Sequence, residues 1–185
     1  MTLTADNNEL EDKLADCQKT LDYSFDNIKL LENALTHTSF KTAYNPSNER
    51  LEFLGDAILG MVISEYLFKK FPDYSEGKLT KIKSVVVSRA ALAKIGAEMG
   101  LKQFISVGKG LMASRSFPKS LIANVFEAII AAIYLDSGLE AAYDFTLRCL
   151  KSKLMLCVTI SMIRIINQYF SIFARDSKVI YPDIK

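Results

Sequence analysis

A chain of 185 residues, half of them hydrophobic, fits one domain with a sizeable core. Three cysteines (Cys17, Cys149, Cys157), odd in number and without CxxC spacing, argue against a disulfide framework or a zinc site and for a reducing, cytoplasmic setting. The net charge of +2 excludes little by itself, whereas the acidic start (Asp6, Glu9, Glu11, Asp12) does not read as a secretory signal.

In chain order, residues 10–23 predict an amphipathic helix, and Asn27 to His37 predict another, carrying Ile28, Leu30, Leu31, Ala34 and Leu35. His37 is the only histidine, which rules out a histidine-rich metal site. Its neighbours Thr36 and Ser39 favour helix-end hydrogen bonding over a general-base role. Asn45-Pro46-Ser47-Asn48 is a loop with an N-cap candidate for the next helix, which should stop near Lys70, before Pro72. Ser75-Glu76-Gly77 reads as a turn, and Leu79–Met99 as one helix stopped by Gly100, although the valines at 85–87 weaken it on propensity. Val107–Pro118 is a loop. Ser137-Gly138 should end the helix that follows it, with Leu139–Leu150 starting another. No repeat and no alternating strand pattern is present, so the fold class is all-α.

The helix after Asn48 carries the chemistry. Glu49, Glu52 and Asp56 recur at i, i+3 and i+7 and share a face, while Leu51, Leu54, Ile58 and Met61 line another. Like charges so stacked repel, the more so when desolvated, and a hard divalent cation with oxygen ligands is the natural counter-charge. A surface acidic stripe is the bland alternative. Gly55 and Gly60 on this helix are either defects or places that permit a close approach.

A second segment, Leu121 to Leu135, has Asn124 and Glu127 as its only strongly polar positions, at i and i+3 on one face. Apolar all round and shorter than the ~20 residues of a bilayer span, it reads as a core helix. A carboxylate buried there without a partner would cost several kcal/mol, on the order of the usual desolvation penalty. If the two helices face each other, Glu52, Asp56, Asn124 and Glu127 form one oxygen-rich metal site.

Charge is unevenly spread. Residues 78–119 hold nine Lys/Arg (among them Lys78, Lys81, Lys83, Arg89 and Lys94) against Glu98 alone, whereas residues 1–77 hold seven against fourteen acids. Alone, such a basic stretch is most simply a solvated helical face; beside a metal cluster it favours nucleic-acid contact.

The run NERLEFLGDAILG resembles the signature of the ribonuclease III family. So do Ala34–Phe40, residues 76–101, the Val107-Gly108-Lys109-Gly110 turn and residues 120–138, in the family's order, so that the resemblance covers roughly 16–150. It implies a helical, dimer-forming endonuclease domain over 1–150 that cuts double-stranded RNA, with Mg²⁺ as cofactor (Mn²⁺ substituting) and no small-molecule cofactor or membrane. It further implies 5′-phosphate and 3′-hydroxyl ends and a role in processing ribosomal or messenger RNA precursors. Glu52 and Glu127 would be metal ligands, Glu127 the indispensable one, and Asp56 would help organise the catalytic water. Glu49 lies one turn out, where capping or a dimer contact is as good a reading as catalysis. Phe53 would anchor a homodimer interface formed by the signature helix.

Asn124 departs from the family pattern, which often has aspartate there. Its neutral carbonyl oxygen can still serve Mg²⁺ but brings no charge. Residues 151–185 form an atypical tail, with no complete double-stranded-RNA-binding domain expected, so RNA affinity should be low and steeply salt-dependent. Ser161, Arg164, Gln168 and Ser171 give this tail an amphipathic helical period. It is either a divergent last helix or the product of truncation or frameshift. The rival to the enzyme is a non-catalytic RNA-binding or ribonucleoprotein scaffold on the same fold. Glu52, Asp56 and Glu127 argue against it; Asn124 and the tail argue for it.

Overall fold

Helices make up the regular structure among the described residues, apart from one isolated parallel bridge between Thr36 and Ser106. The computed structural model describes the backbone of residues 3–40, 46–112 and 118–180, and side chains over 8–40, 46–111 and 118–159. In chain order the helices are α1 (Leu3–Leu21), α2 (Ile28–Leu35), α3 (Glu49–Lys70), α4 (Glu76–Val86), α5 (Arg89–Glu98), α6 (Lys109–Met112) and α7 (Lys119–Ile180). Short 3₁₀ turns occupy Thr38–Phe40 and Leu101–Phe104.

The centre of the fold is the first segment of α7, residues 119–137. From Leu121 to Ile133 every side chain is buried except Asn124 and Glu127. That is what an all-apolar helix must do in water, and α2, α3, α4 and α5 pack around it to achieve it. The longer run Lys119–Thr159 is long and apolar enough to cross a membrane, but 61% of its most apolar window is buried inside the fold. Gly138, at φ 83° and ψ −173°, breaks α7 into two helical segments, so the expected stop after Ser137 is found. Beyond it, Ala142, Phe145, Leu150, Leu154 and Val158 return to the core. The amphipathic tail positions Ser161, Arg164, Gln168 and Ser171 lie outside the described side chains.

Several sequence expectations change in detail. The helix predicted over 79–99 is two helices, and Ser75-Glu76-Gly77 is the start of the first rather than a separate turn. The break lies at Ser88, whose side chain accepts from Ala91 N (3.3 Å) and so caps α5. Asn48 precedes α3 but makes no side-chain cap; its amide donates to Ala34 O (3.3 Å) and its N–H to Thr36 O (2.8 Å). Buried at 2% exposure, it braces the start of α3 against the end of α2. The buried stripe of α3 runs through Ile58, Leu59, Val62, Ile63 and Leu67, and Met61, assigned to the apolar face, is 45% exposed. The loop over 107–118 contains α6, and its residues 113–117 lie outside the described ones.

Candidate functional site

Where α3 crosses the first segment of α7, the two backbones come unusually close. A Cβ at Gly55 would fall inside the van der Waals radius of the Glu127 carbonyl oxygen, so this crossing requires glycine. Gly60, one turn and a half further on, has only the Lys83 side chain nearby at 3.7 Å, an ordinary contact. The close approach sets Glu52 and Asp56, three before and one after Gly55, against Asn124 and Glu127. All four line one cleft of about 600 Å³, together with His37, Thr38, Asn48, Glu49, Phe53 and Arg89. The sequence-predicted cluster is therefore assembled, with Glu49 at its rim.

Electrostatics mark the cleft as short of positive charge. Burial and the repulsion of Asp56 and Glu52 push the Glu127 carboxyl up to about 7, against the opposing pull of Arg89. The Glu52 carboxyl is also raised, first by burial; Arg89 and a hydrogen bond with Asn124 oppose this, while Glu49 and Asp56 add to it. Asn124 Oδ1 is itself buried with no hydrogen-bond partner. A buried carbonyl oxygen left unpaired costs roughly 1–3 kcal/mol. A hard cation would satisfy it and discharge the carboxylates at once, so the donor set fits a divalent ion. Among the described residues no three His, Cys, Asp or Glu side chains converge tightly enough to hold an ion by themselves. The neutral Asn124 oxygen and solvent would have to complete the coordination.

His37 reaches the cleft edge, but its Nδ1 accepts from Ser39 N (3.2 Å) and lies 2.9 Å from Ser39 Oγ, which in turn accepts from Gly108 N (3.0 Å). This is the helix-end hydrogen bonding expected of it. Glu49 accepts from Ser47 Oγ (2.7 Å), a bond that helps hold the entry to α3.

Arg89 is the cleft residue that sequence reasoning had left in the basic stretch. The available signal was its position right after the capping Ser88: a cation in the first turn of a helix opposes the macrodipole, so something outside the helix must favour it there.

Beside the cleft, Phe53 is 81% exposed. It borders an apolar groove of about 710 Å³ formed by Leu30, Leu51, Leu54 and Leu135 with Pro46 and Arg50.

The family model for ribonuclease-III-like proteins matches residues 27–154. A Ribonuclease 3 of Rhodopirellula baltica is 52% identical over 132 residues, covering 71% of this chain and 50% of that protein. The Ribonuclease 3 of a Nitratiruptor species is 43% identical over 140 residues, covering 75% and 61%. The chain thus spans about half to three-fifths of the length of these curated relatives. Among solved structures, the nuclease domain of ribonuclease III from Campylobacter jejuni superposes with a TM-score of 0.70 at 40% identity, over 76% of this chain and 95% of that one. A Dicer from Giardia intestinalis shares the fold at 23% identity and a TM-score of 0.61, over 76% of this chain and 19% of that one.

Proposed function

The chain belongs to the ribonuclease III family, and from that premise we propose that it is a Mg²⁺-dependent endoribonuclease acting on double-stranded RNA as a homodimer. The observation that carries the reading is the cleft in which Glu52, Asp56 and Glu127 meet the unpaired, buried Oδ1 of Asn124. The nuclease domain is taken as residues 1–150 and the tail as 151–185.

Glu52, Asn124 and Glu127 would hold the ion, Mg²⁺ or Mn²⁺. When bound, it supplies a Lewis acid that lowers the pKa of water and offsets charge on the phosphate. The chain does the rest. Gly55 fixes the spacing of α3 and α7, so that the oxygens of both helices face one volume. Asp56, exposed on the lip, accepts a hydrogen bond from the attacking water and carries its proton toward solvent. The water oxygen bonds to phosphorus, the P–O3′ bond breaks, and the departing 3′ oxygen takes a proton. The products are a 5′-phosphate and a 3′-hydroxyl. Lysines of the stretch 78–119 serve the phosphate backbone of an A-form duplex, which is read by shape. Phe53 docks in the Leu30–Leu51–Leu54–Leu135 groove of a second copy, giving one cleft per strand. RNA processing in a reducing cytoplasm, with the three cysteines free as found, completes the reading.

Incubating purified protein with a long RNA duplex, with Mg²⁺ and with EDTA, tests this. Staggered cuts that require the metal are expected. Tight duplex binding without cleavage in either Mg²⁺ or Mn²⁺ would favour the scaffold reading instead.

A further inference from the structure

Arg89 lines the same cleft as four carboxylates, Glu49, Glu52, Asp56 and Glu127, and among the described residues it is the one Lys or Arg that does so. It is exposed, and among the described residues it forms no ion pair within 4 Å. A guanidinium kept merely to neutralise Glu52 or Glu127 would be expected to close on one of them, since a bidentate arginine–carboxylate pair is the strong arrangement. Here it acts on both from a distance and leaves its donors open.

Its position is costly in two ways. It sits in the first turn of α5, at the positive end of the helix dipole. It would also repel any divalent cation held by the neighbouring acids. The carboxylates offset this cost only at a distance and leave the guanidinium donors unused. Those donors face the cleft that a substrate anion must enter. A phosphodiester offers two non-bridging oxygens, and the planar guanidinium fork matches such a pair, as a lysine ammonium does not.

We propose that Arg89 binds a non-bridging oxygen of the phosphodiester that enters the acidic cleft, holding it against the repulsion of the carboxylates and bearing part of the charge that builds up as the water attacks. This rests on the ribonuclease reading and names a residue for it beyond the acids.

The test compares the parent protein with Arg89→Gln and Arg89→Lys. Single-turnover cleavage of a long duplex at saturating Mg²⁺ is measured beside Mn²⁺ affinity by electron paramagnetic resonance and thermal melting without metal. The proposal expects Arg89→Gln to cut about a hundredfold more slowly. Arg89→Lys should regain only part of the rate, Mn²⁺ should bind both variants as tightly as the parent or tighter, and neither variant should melt below the parent. Arg89→Gln cleaving within about threefold of the parent overturns it. So does a loss of cleavage that comes with weaker Mn²⁺ binding or a lower melting temperature, which would make Arg89 a support for the acid cluster. A parent that cuts no duplex at all removes the ribonuclease reading and this proposal with it, whereas an active parent with an equally active Arg89→Gln removes Arg89 alone.

Discussion

Among the single residues of the cleft, Glu127 fits its surroundings badly without a cation. Its carboxyl titrates near 7, well above the ordinary 4.5, because burial comes on top of two neighbouring acids. A carboxyl whose pKa is raised by folding stabilises the fold fully below its unfolded value and loses that contribution as pH rises through the folded value. Metal-free protein should therefore melt at progressively lower temperature between about pH 5 and pH 8, relative to Glu127→Gln, in which the group no longer ionises. Saturating Mg²⁺ should flatten that difference, and differential scanning calorimetry would read it. Glu127→Gln should also abolish cleavage while leaving duplex binding nearly intact; activity within about tenfold of the parent would remove Glu127 from the site.

The sequence made these acids legible because each stands alone in an apolar setting, and a helical period is enough to align them. Arg89 was not legible in the same way. It lies in a basic run where a solvated face is the simplest reading, and only the packing of α5 on α7 brings it to the cleft. Asn48 misled for the opposite reason: it has the residue type and position of an N-cap, but its φ −72° and ψ −4° are helical rather than the extended backbone of a cap, and its side chain is held by a donated bond to Ala34 O.

Elements add what no single side chain can. Gly55 lets α3 touch the backbone of α7 at Glu127, so adding one methyl there must push the helices apart where the oxygens converge. Gly55→Ala should cost about 1–3 kcal/mol of stability, as overpacking does. It should also depress cleavage more than its effect on melting would suggest, checked by measuring both on the same preparation.

The end of the first α7 segment is tied down separately. Asp136 accepts from Asn27 N (2.8 Å), Asp26 N (3.1 Å) and Tyr23 Oη (2.8 Å), locking the start of α2 to the core helix. Partial burial works against its ionisation, but these donors hold its pKa below the ordinary value. Asp136→Ala should lower stability by about 1 kcal/mol or somewhat more, read by urea unfolding, and leave the cut positions unchanged.

Element boundaries were readable from sequence wherever glycine or proline enforces them: α3 ends at Lys70 before Pro72, and α7 breaks at Gly138. The division between α4 and α5 was not, because Ser88 can sit within a helix or cap one, and its bond to Ala91 decides the matter only once the chain has folded.

For the whole molecule, the apolar helix at the centre and the helices around it follow from composition and period alone, which is why an all-α fold is legible in the sequence. Assembly is a different matter, since an exposed Phe53 beside an apolar groove is a surface one copy cannot satisfy by itself. Light scattering at micromolar concentration should give twice the 20.7 kDa of one chain. Phe53→Glu should return the protein to a single chain without unfolding it, because that side chain is already in water. A parent protein that remains at 20.7 kDa would count against paired cutting of the two strands.

In the proposed reading, α3 and α7 together present oxygens to one cation, with Asn124 supplying a neutral ligand where a charged one is possible. It is tested most directly by titrating Mg²⁺ against cleavage of a single duplex by the parent and by Asn124→Asp. An added carboxylate beside Glu52, Asp56 and Glu127 should draw the ion in more tightly. Half-maximal cleavage should then fall at a lower Mg²⁺ concentration, with the cut positions unchanged. Equal Mg²⁺ requirements in the two proteins would place residue 124 away from the ion and remove Asn124 from its ligands.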